Sequence, residues 1–309
     1  MKNQLFFYFL CMLASLSWSQ QEVQYTQYMY NMSVVNPAYV TDNPGVLNLG
    51  LIYRQQWVGI DGAPASGSFF AHTPLGNNIE VGLTLQTDQI GNVIKEHNFN
   101  VDFAYKIDLS YTSKLSFGLK AGVNLFNTDF SGFNLQSGQF SSDPSFSENI
   151  NNNFINIGAG AFYFSDNFYV GLSVPNLINT KYLSKTNGLY EIEEERHYFF
   201  TTGYVFEVNE MLRLKPSILT KAVVGAPLIV DMNVNALYND RVEFGLGYRL
   251  NDAFIAMFNI KVNDKLRIGY SYDYTSTNLN TFSNGSHELF LIYDLNVFSK
   301  GFNKSPRFF

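Results

Sequence analysis

A single cysteine occurs in the 309 residues, and it stands at position 11. Lys2, the apolar run from Leu5 to Leu16, and the small residues Ser17 and Ser19 have the build of a secretory signal peptide. Its cut is expected after Ser19 or Gln20. The apolar stretch is short for a signal anchor. Cys11 follows Phe9-Leu10, without the small residue a lipid-acceptor cysteine needs. The mature chain is therefore expected to hold no cysteine, which excludes disulfides, thiol catalysis and cysteine metal sites together. Charge is also scarce: charged residues make up 15%, where a soluble domain has about a quarter. The net charge of −6 gives no nucleic-acid signal, and only Lys300, Lys304 and Arg307 form a small basic tail. No apolar run of about 20 residues follows the signal segment, so a helical span is excluded. The chain is poor in charge without being hydrophobic on average, with a mean hydropathy of −0.07. A transmembrane barrel gives this balance, because its lipid-facing residues are hidden among polar ones.

What is abundant is aromatic residues, at 17%, set in a period of two. Leu266, Ile268, Tyr270, Tyr272 and Tyr274 share one face of a strand, and Arg267, Gly269, Ser271 and Asp273 share the other. The same alternation runs through Phe99–Ile107, Leu115–Leu125, Leu228–Ala236 and Val242–Leu250. Such runs predict about 14 strands of a length that crosses a bilayer when tilted. The weakest signals lie near 65–73, 167–174 and 211–221. Pro216, in the last of these, costs a ladder hydrogen bond unless it sits at an edge or bulge. The polar face carries both signs of charge: Arg54, Asp102, Lys120, Arg213, Lys215, Asp231, Glu243, Arg249, Lys261, Arg267 and Asp273. Mixed signs suit a narrow lumen in which charges pair, and argue against a strongly ion-selective pore.

The connections carry independent information. Tight turns follow even strands: Ser165-Asp166-Asn167, Val208-Asn209-Glu210, Asn239-Asp240 and Asn263-Asp264. Long loops follow odd strands, at about 127–151, 175–194 and 275–285, with Asn251-Asp252 as a short exception. In an up-and-down meander this parity puts long loops on one side and short turns on the other, as in outer-membrane barrels. A soluble β-sandwich also alternates, but it does not predict the parity. No convincing helix is predicted after the signal peptide. Residues 21–45 lack long alternation, and Pro37 forbids a continuous strand or helix there. They are expected to pack in the lumen or across its mouth.

No constellation of residues carries chemistry. The histidines His72, His97, His197 and His287 include no pair at metal-ligand spacing. Ser286-His287-Glu288 gathers the residues of a triad, but neighbours on a strand point to opposite faces, so no relay forms. Glu193-Glu194-Glu195 is an acidic run in a long loop, a solvated face or a site for a cation or partner. The glycines lack a phosphate-loop spacing and lie mostly on strands, where they make room inside a barrel. No enzyme activity and no cofactor or metal is expected.

Three separated motifs resemble one family. Gln24-Tyr25-Thr26-Gln27-Tyr28-Met29-Tyr30-Asn31, followed by Asn36-Pro37-Ala38-Tyr39, resembles the start of the PorP/SprF proteins of Bacteroidetes. Tyr53-Arg54-Gln55-Gln56-Trp57-Val58-Gly59, then Gly62-Ala63-Pro64, is similar to that family's second signature. Ser286-His287-Glu288 and Ser305-Pro306-Arg307-Phe308-Phe309 resemble its C-terminus. Val40-Thr41 departs from the Ala-Gly expected after Asn-Pro-Ala-Tyr. The resemblance implies an outer-membrane component of the type IX secretion system, without catalytic residues. It would assist secretion or surface attachment of a partner protein such as a gliding adhesin. Its partners would be that cargo, the system's periplasmic ring and peptidoglycan-linked lipoproteins, and outer-membrane lipid. The motif residues would pack a plug or dock a partner, although Trp57 and Tyr39 also suit interfacial anchors. The alternative is a passive pore or a channel for hydrophobic substrates.

The expected organisation is a signal peptide at 1–19, a pre-barrel segment at 20–45, an antiparallel transmembrane β-barrel of about 14 strands at 46–298, and a periplasmic tail at 299–309. This is an all-β, outer-membrane architecture with an N-terminal pre-barrel or plug segment.

Overall fold

The structure, a computed structural model, describes residues 23–130, 149–184 and 191–297. The expected signal peptide, most of the 127–151 loop and the expected 299–309 tail with Ser305 to Phe309 lie outside the described residues. Alternating sequence becomes strand throughout: β1 (Val46–Gln55), β2 (Ala65–Pro74), β3 (Ile79–Ile90), β4 (Ile94–Asp108), β5 (Ser113–Thr128), β6 (Asn151–Ser165), β7 (Phe168–Val174), β8 (Thr180–Ser184), β9 (Glu191–Glu194), β10 (His197–Tyr204), β11 (Phe206–Glu207), β12 (Leu212–Val223), β13 (Ile229–Tyr238), β14 (Val242–Arg249), β15 (Ala253–Lys261), β16 (Leu266–Thr275) and β17 (Ser286–Asn296). Fourteen of them, β1–β7, β10 and β12–β17, pair antiparallel with their neighbours. β1 pairs with β17 from Val46↔Asn296 to Gln55↔His287, and β10 pairs with β12, so the ring has no free edge. The three regions of weakest alternation are all strands: β2, β7 and β12.

The two faces settle the solvent. Leu119 is 61% exposed and Leu246 72%, while Asp102 and Lys120, on the opposite face, are each 3% exposed. A water-soluble fold would have this the other way round. An apolar exterior that encircles the barrel far exceeds the patches that water tolerates, and it matches the lipid band of an outer-membrane barrel. No helix among the described residues is long and apolar enough to cross a membrane.

Pro216 sits between two ladders. β10 pairs with β12 only as far as Gly203↔Ser217, and β11 resumes the pairing at Phe206↔Leu214. The missing N–H therefore falls where the ladder is already interrupted. Elsewhere the structure adds to the sequence expectation. The stretch 175–194 is not wholly loop: β8 and β9 form a two-stranded hairpin of their own, which takes in Glu193 and Glu194. Two short helical turns, Tyr28–Tyr30 and Met32–Val35, occur before β1. Arg213 and Lys261 stand at the rim and not within the lumen, paired with Asp240 and Asp264 of the adjoining turns.

The fourteen ring strands run between two ends, termed here the turn end, which holds the β4–β5 and β6–β7 turns, and the loop end, which holds the β5–β6, β7–β10 and β16–β17 connections. β1 starts and β17 finishes at the turn end.

Candidate functional site

The residues ahead of β1 pack against the inward faces of strands all round the ring. From Tyr25 to Thr41 every residue is buried. Local chemistry shapes this segment. Met32–Val35 makes one helical turn, closed by the Asn36 N–H on the Met32 carbonyl at 2.8 Å. Pro37 then forces Asn36 into extended backbone and stops the helix. The Asn36 side-chain oxygen accepts the Ala38 N–H at 2.9 Å, an Asx turn. Asp42 and Gly45, at φ 52° and 82°, reverse the chain into β1.

At the loop end the segment meets charge. Glu288 on β17 accepts the backbone N–H groups of Thr26 and Gln27, each at 2.8 Å, one on each carboxylate oxygen. Arg54 on β1 reaches Glu288 at 3.4 Å and Asp273 on β16 at 2.8 Å. It also donates to the Thr26 hydroxyl at 2.8 Å, and that hydroxyl donates to Asp273 at 2.6 Å. Arg249 on β14 bridges Asp273 at 3.3 Å and Asp231 at 2.7 Å. Asp231 in turn accepts the Gln24 side-chain amide at 2.8 Å. Three carboxylates thus share two guanidinium groups, all buried. Buried carboxylates need every donor they can reach, and the Thr26 and Gln27 N–H groups stand where a third cation would otherwise be wanted.

Half-way along, the contacts change character. Lys120 donates to the Ser33 carbonyl at 2.9 Å, and the Ser173 hydroxyl to the Val35 carbonyl at 2.7 Å. These satisfy carbonyls that a one-turn helix leaves open. His72 meets the Ser33 hydroxyl at 2.9 Å, and Tyr30 donates its hydroxyl to Glu243. The Asn36 amide then spans two strands, donating to the Ala161 carbonyl on β6 at 3.1 Å and the Leu172 carbonyl on β7 at 3.4 Å. Here glycine is obligatory. A Cβ on Gly118 would run into the backbone of Pro37 and Ala38, and one on Gly160 into the Asn36 side-chain oxygen. At the turn end, Glu80 accepts the Thr41 N–H at 2.6 Å. Asp42 pairs with Lys106, and with Lys114 at 2.7 Å. Burial pushes the Asp42 carboxyl up, but the two lysines outweigh it and hold it below its ordinary value of 3.8.

The motif residues far apart in sequence come together here. Gln27, Tyr28 and Met29 are buried in the lumen, with the Tyr28 hydroxyl 3.5 Å from Ser217. Tyr39 is not an interfacial residue: it lies buried edge-on to Phe162 and His72. Beyond Arg54 the chain keeps pairing with the approach to β17. The Trp57 N–H meets the Ser286 hydroxyl at 3.2 Å, and the Val58 N–H meets the Gly285 carbonyl at 2.8 Å. Trp57, Gly59 and Gly62 all take positive φ in this connection, and Gln56 closes it on Pro64 at 2.9 Å, while Ala63 bonds back to Ile60. His287 faces outward to the Tyr270 hydroxyl at 2.6 Å, away from Ser286 and Glu288, which face in. Asp231, Arg249 and Asp273 complete the charged cluster although they lie outside the three sequence motifs. Their signal was only the inward position of each strand charge.

The family model described as "Type IX secretion system membrane protein PorP/SprF" matches residues 17–293. No curated protein matches the chain significantly. Among solved structures, the CymD monoaromatic hydrocarbon channel aligns at TM-score 0.52 and 12% identity, over 89% of this chain and 94% of that one. A FadL homologue from Pseudomonas aeruginosa aligns at TM-score 0.49 and 12% identity, over 85% and 93%. Omp33 of Acinetobacter baumannii aligns at TM-score 0.48 and 8% identity, over 82% and 99%. At 12% identity the likeness to CymD is one of fold.

Proposed function

The chain belongs to the PorP/SprF family of type IX secretion system membrane proteins, and we propose that its barrel is a plugged, non-enzymatic subunit that binds polypeptides rather than conducting solutes. Fold and family together put it in the outer membrane. One observation carries the proposal: Tyr25 to Thr41 are buried, and bonded to inward side chains on opposite walls, from Glu80 and Lys120 to Asp273 and Glu288. A conducting pore needs a continuous wet path, and a segment seated this way stands across it. The function left to the barrel is binding. Its cargo is a secreted or surface-held protein such as a gliding adhesin, engaged by the loop-end connections, including 127–151 and 175–194. A closed ring offers no strand edge for β-augmentation. The 299–309 tail and the turn end serve the periplasmic ring and the peptidoglycan-linked lipoproteins.

Planar-bilayer recording tests this. The purified full chain is expected to conduct little, and the same chain lacking residues 21–45 to conduct steadily. A large steady conductance from the intact chain favours the passive pore or hydrophobic-substrate channel instead. Deletion of the gene, followed by analysis of secreted and surface proteins, tests the cargo: normal surface display of every cargo ends the secretion role.

A further inference from the structure

The ring closes, but its strands do not all end at the same height. β6 pairs with β5 along its whole length, from Ser113↔Ser165 to Asn127↔Asn151. It pairs with β7 only from Phe164↔Tyr169 to Ala159↔Val174. Beyond Val174 the chain leaves the wall for the lumen. Pro175 has no N–H to give to the ladder. Its backbone lies against Gly158, which faces inward like Gly160, and a Cβ on Gly158 would stand 2.4 Å from the Pro175 carbonyl oxygen. The buried Asn176 side chain holds this turn, accepting the His197 N–H at 3.1 Å and donating to the Glu195 carbonyl at 3.3 Å. The Leu177 N–H meets the Ile157 carbonyl at 2.7 Å, and this is the last bond that β6 receives on that side among the described residues. The Thr128 N–H bonds to the Ile150 carbonyl at 2.8 Å, so even-numbered residues here turn their backbone groups to β5 and odd-numbered ones turn theirs away. Asn151, Asn153 and Ile155 thus present backbone N–H and C=O groups that have no partner among the described residues. They form an open edge about 13 Å long.

The level of this edge decides what it can do. On the outer face of β6 the side chains run Tyr163, Ala161, Ala159, Ile157 and Ile155, and then Asn153 and Asn151. Ile155 is 66% exposed. The change from apolar to amide side chains marks the rim of the lipid band, so the open edge begins where lipid gives way to water. Unpaired backbone groups are too costly to leave within lipid, but in water they are free to bond. Edges that proteins keep single are blocked by Lys, Pro or a bulge. Residues 151–157 read Asn-Asn-Asn-Phe-Ile-Asn-Ile, with no charge and no proline, and their register with β5 runs on without a shift. We propose that β6, from Asn151 to Ile155, takes up an extended strand of the secreted or surface-held cargo, which adds to this backbone edge. The inference rests on the reading of the barrel as a polypeptide-binding subunit with its loop end outside, and it names the site and the mode of binding. The incoming strand has apolar or β-branched residues beside Phe154 and Ile155, and polar ones towards Asn151. A second copy of the barrel does not fit the place. Strands tilted about 40° in two barrels related by an axis along the membrane normal cross at about 80°, and do not lie side by side.

Amide exchange on the purified full chain tests whether the edge is open. Asn153 and Ile155 are expected to exchange roughly tenfold or more faster than Phe154 and Asn156, which bond to β5. Equal exchange at the four positions means that the edge is not open and overturns the inference. Strand addition is tested in cells, on a surface protein that deletion of the gene removes. Asn153→Pro together with Ile155→Pro withdraws two edge N–H groups and no bond to β5. Display of the surface protein is expected to fall to the level of the deletion strain, with the barrel still assembled in the outer membrane. Alanine at the same two positions returns both N–H groups and is expected to recover the display. An assembled proline chain with full display overturns the inference and leaves the polypeptide-binding reading standing. An alanine chain as deficient as the proline chain does the same, because it shows recognition of side chains and not of backbone. If deletion of the gene removes no surface protein, the polypeptide-binding reading itself fails. Where the double proline chain does not assemble, Asn153→Pro alone is read in the same way.

Discussion

Residues 24–27 and residues 36–39 are held inside the same barrel by opposite means. The first group sits on a buried lattice of two arginines and three carboxylates, where backbone N–H groups complete a charge balance. The second sits where Gly118 and Gly160 let the Asn36-Pro37-Ala38 backbone come close, and the Asn36 side-chain amide donates only to backbone carbonyls. Charge is strong and directional but depends on every partner being present. Close packing over glycine is indifferent to charge, yet tolerates no added atom.

The comparison breaks most visibly at Arg54. Truncation of Arg54 to alanine leaves Asp273 and Glu288 buried with too little positive charge, a change that costs about 3–5 kcal/mol. Amide exchange at Thr26 and Gln27 is then expected to speed up roughly a hundredfold or more, while Ala38 and Tyr39 keep their protection. Gly118→Ala should do the reverse. Its methyl group meets the Pro37 and Ala38 backbone, and overpacking of this kind costs about 1–3 kcal/mol. Faster exchange is expected at Ala38 and Tyr39, with Thr26 and Gln27 little changed. If either substitution loosens both groups equally, the two seats are one cooperative unit and the distinction fails. The smallest effect is expected at the turn end. Asp42 is held below its ordinary 3.8, so its contribution is complete above that pH and is lost as the pH falls through the lower value of the folded chain. Acidification past pH 3.8 should therefore lower the protection of Thr41 and Asp42, measured as exchange relative to the intrinsic rate at each pH, in a step that Asp42→Asn abolishes.

The barrel was legible because its signal is local. Alternation at Leu266–Tyr274 or Leu115–Leu125 needs only the next residue but one, and it set the strand number and the two faces. The charges at Asp231, Arg249 and Asp273 were legible as inward-facing, but their partners were not. Pairing across β13, β14 and β16 depends on a register that no single strand encodes. The same holds for Asn36. Its motif stood out in the sequence, yet its bonds run to carbonyls of Ala161 and Leu172, which carry no side-chain signature. Tyr39 looked amphipathic enough for an interface, and only the close approach allowed by glycine on the facing strands explains its burial. The hairpin of β8 and β9 was missed because four- and five-residue strands are too short for a period of two to show.

The seat of Thr26 also has a history in time. Arg54 comes from the first strand, Asp273 and Glu288 from the last two, and the pairing of β1 with β17 is what sets them side by side. The segment ahead of the first strand thus has no complete resting place until the last strands have been delivered. Closing the ring and settling its tenant are one event, and a barrel with its tenant in place is a barrel that has finished assembling.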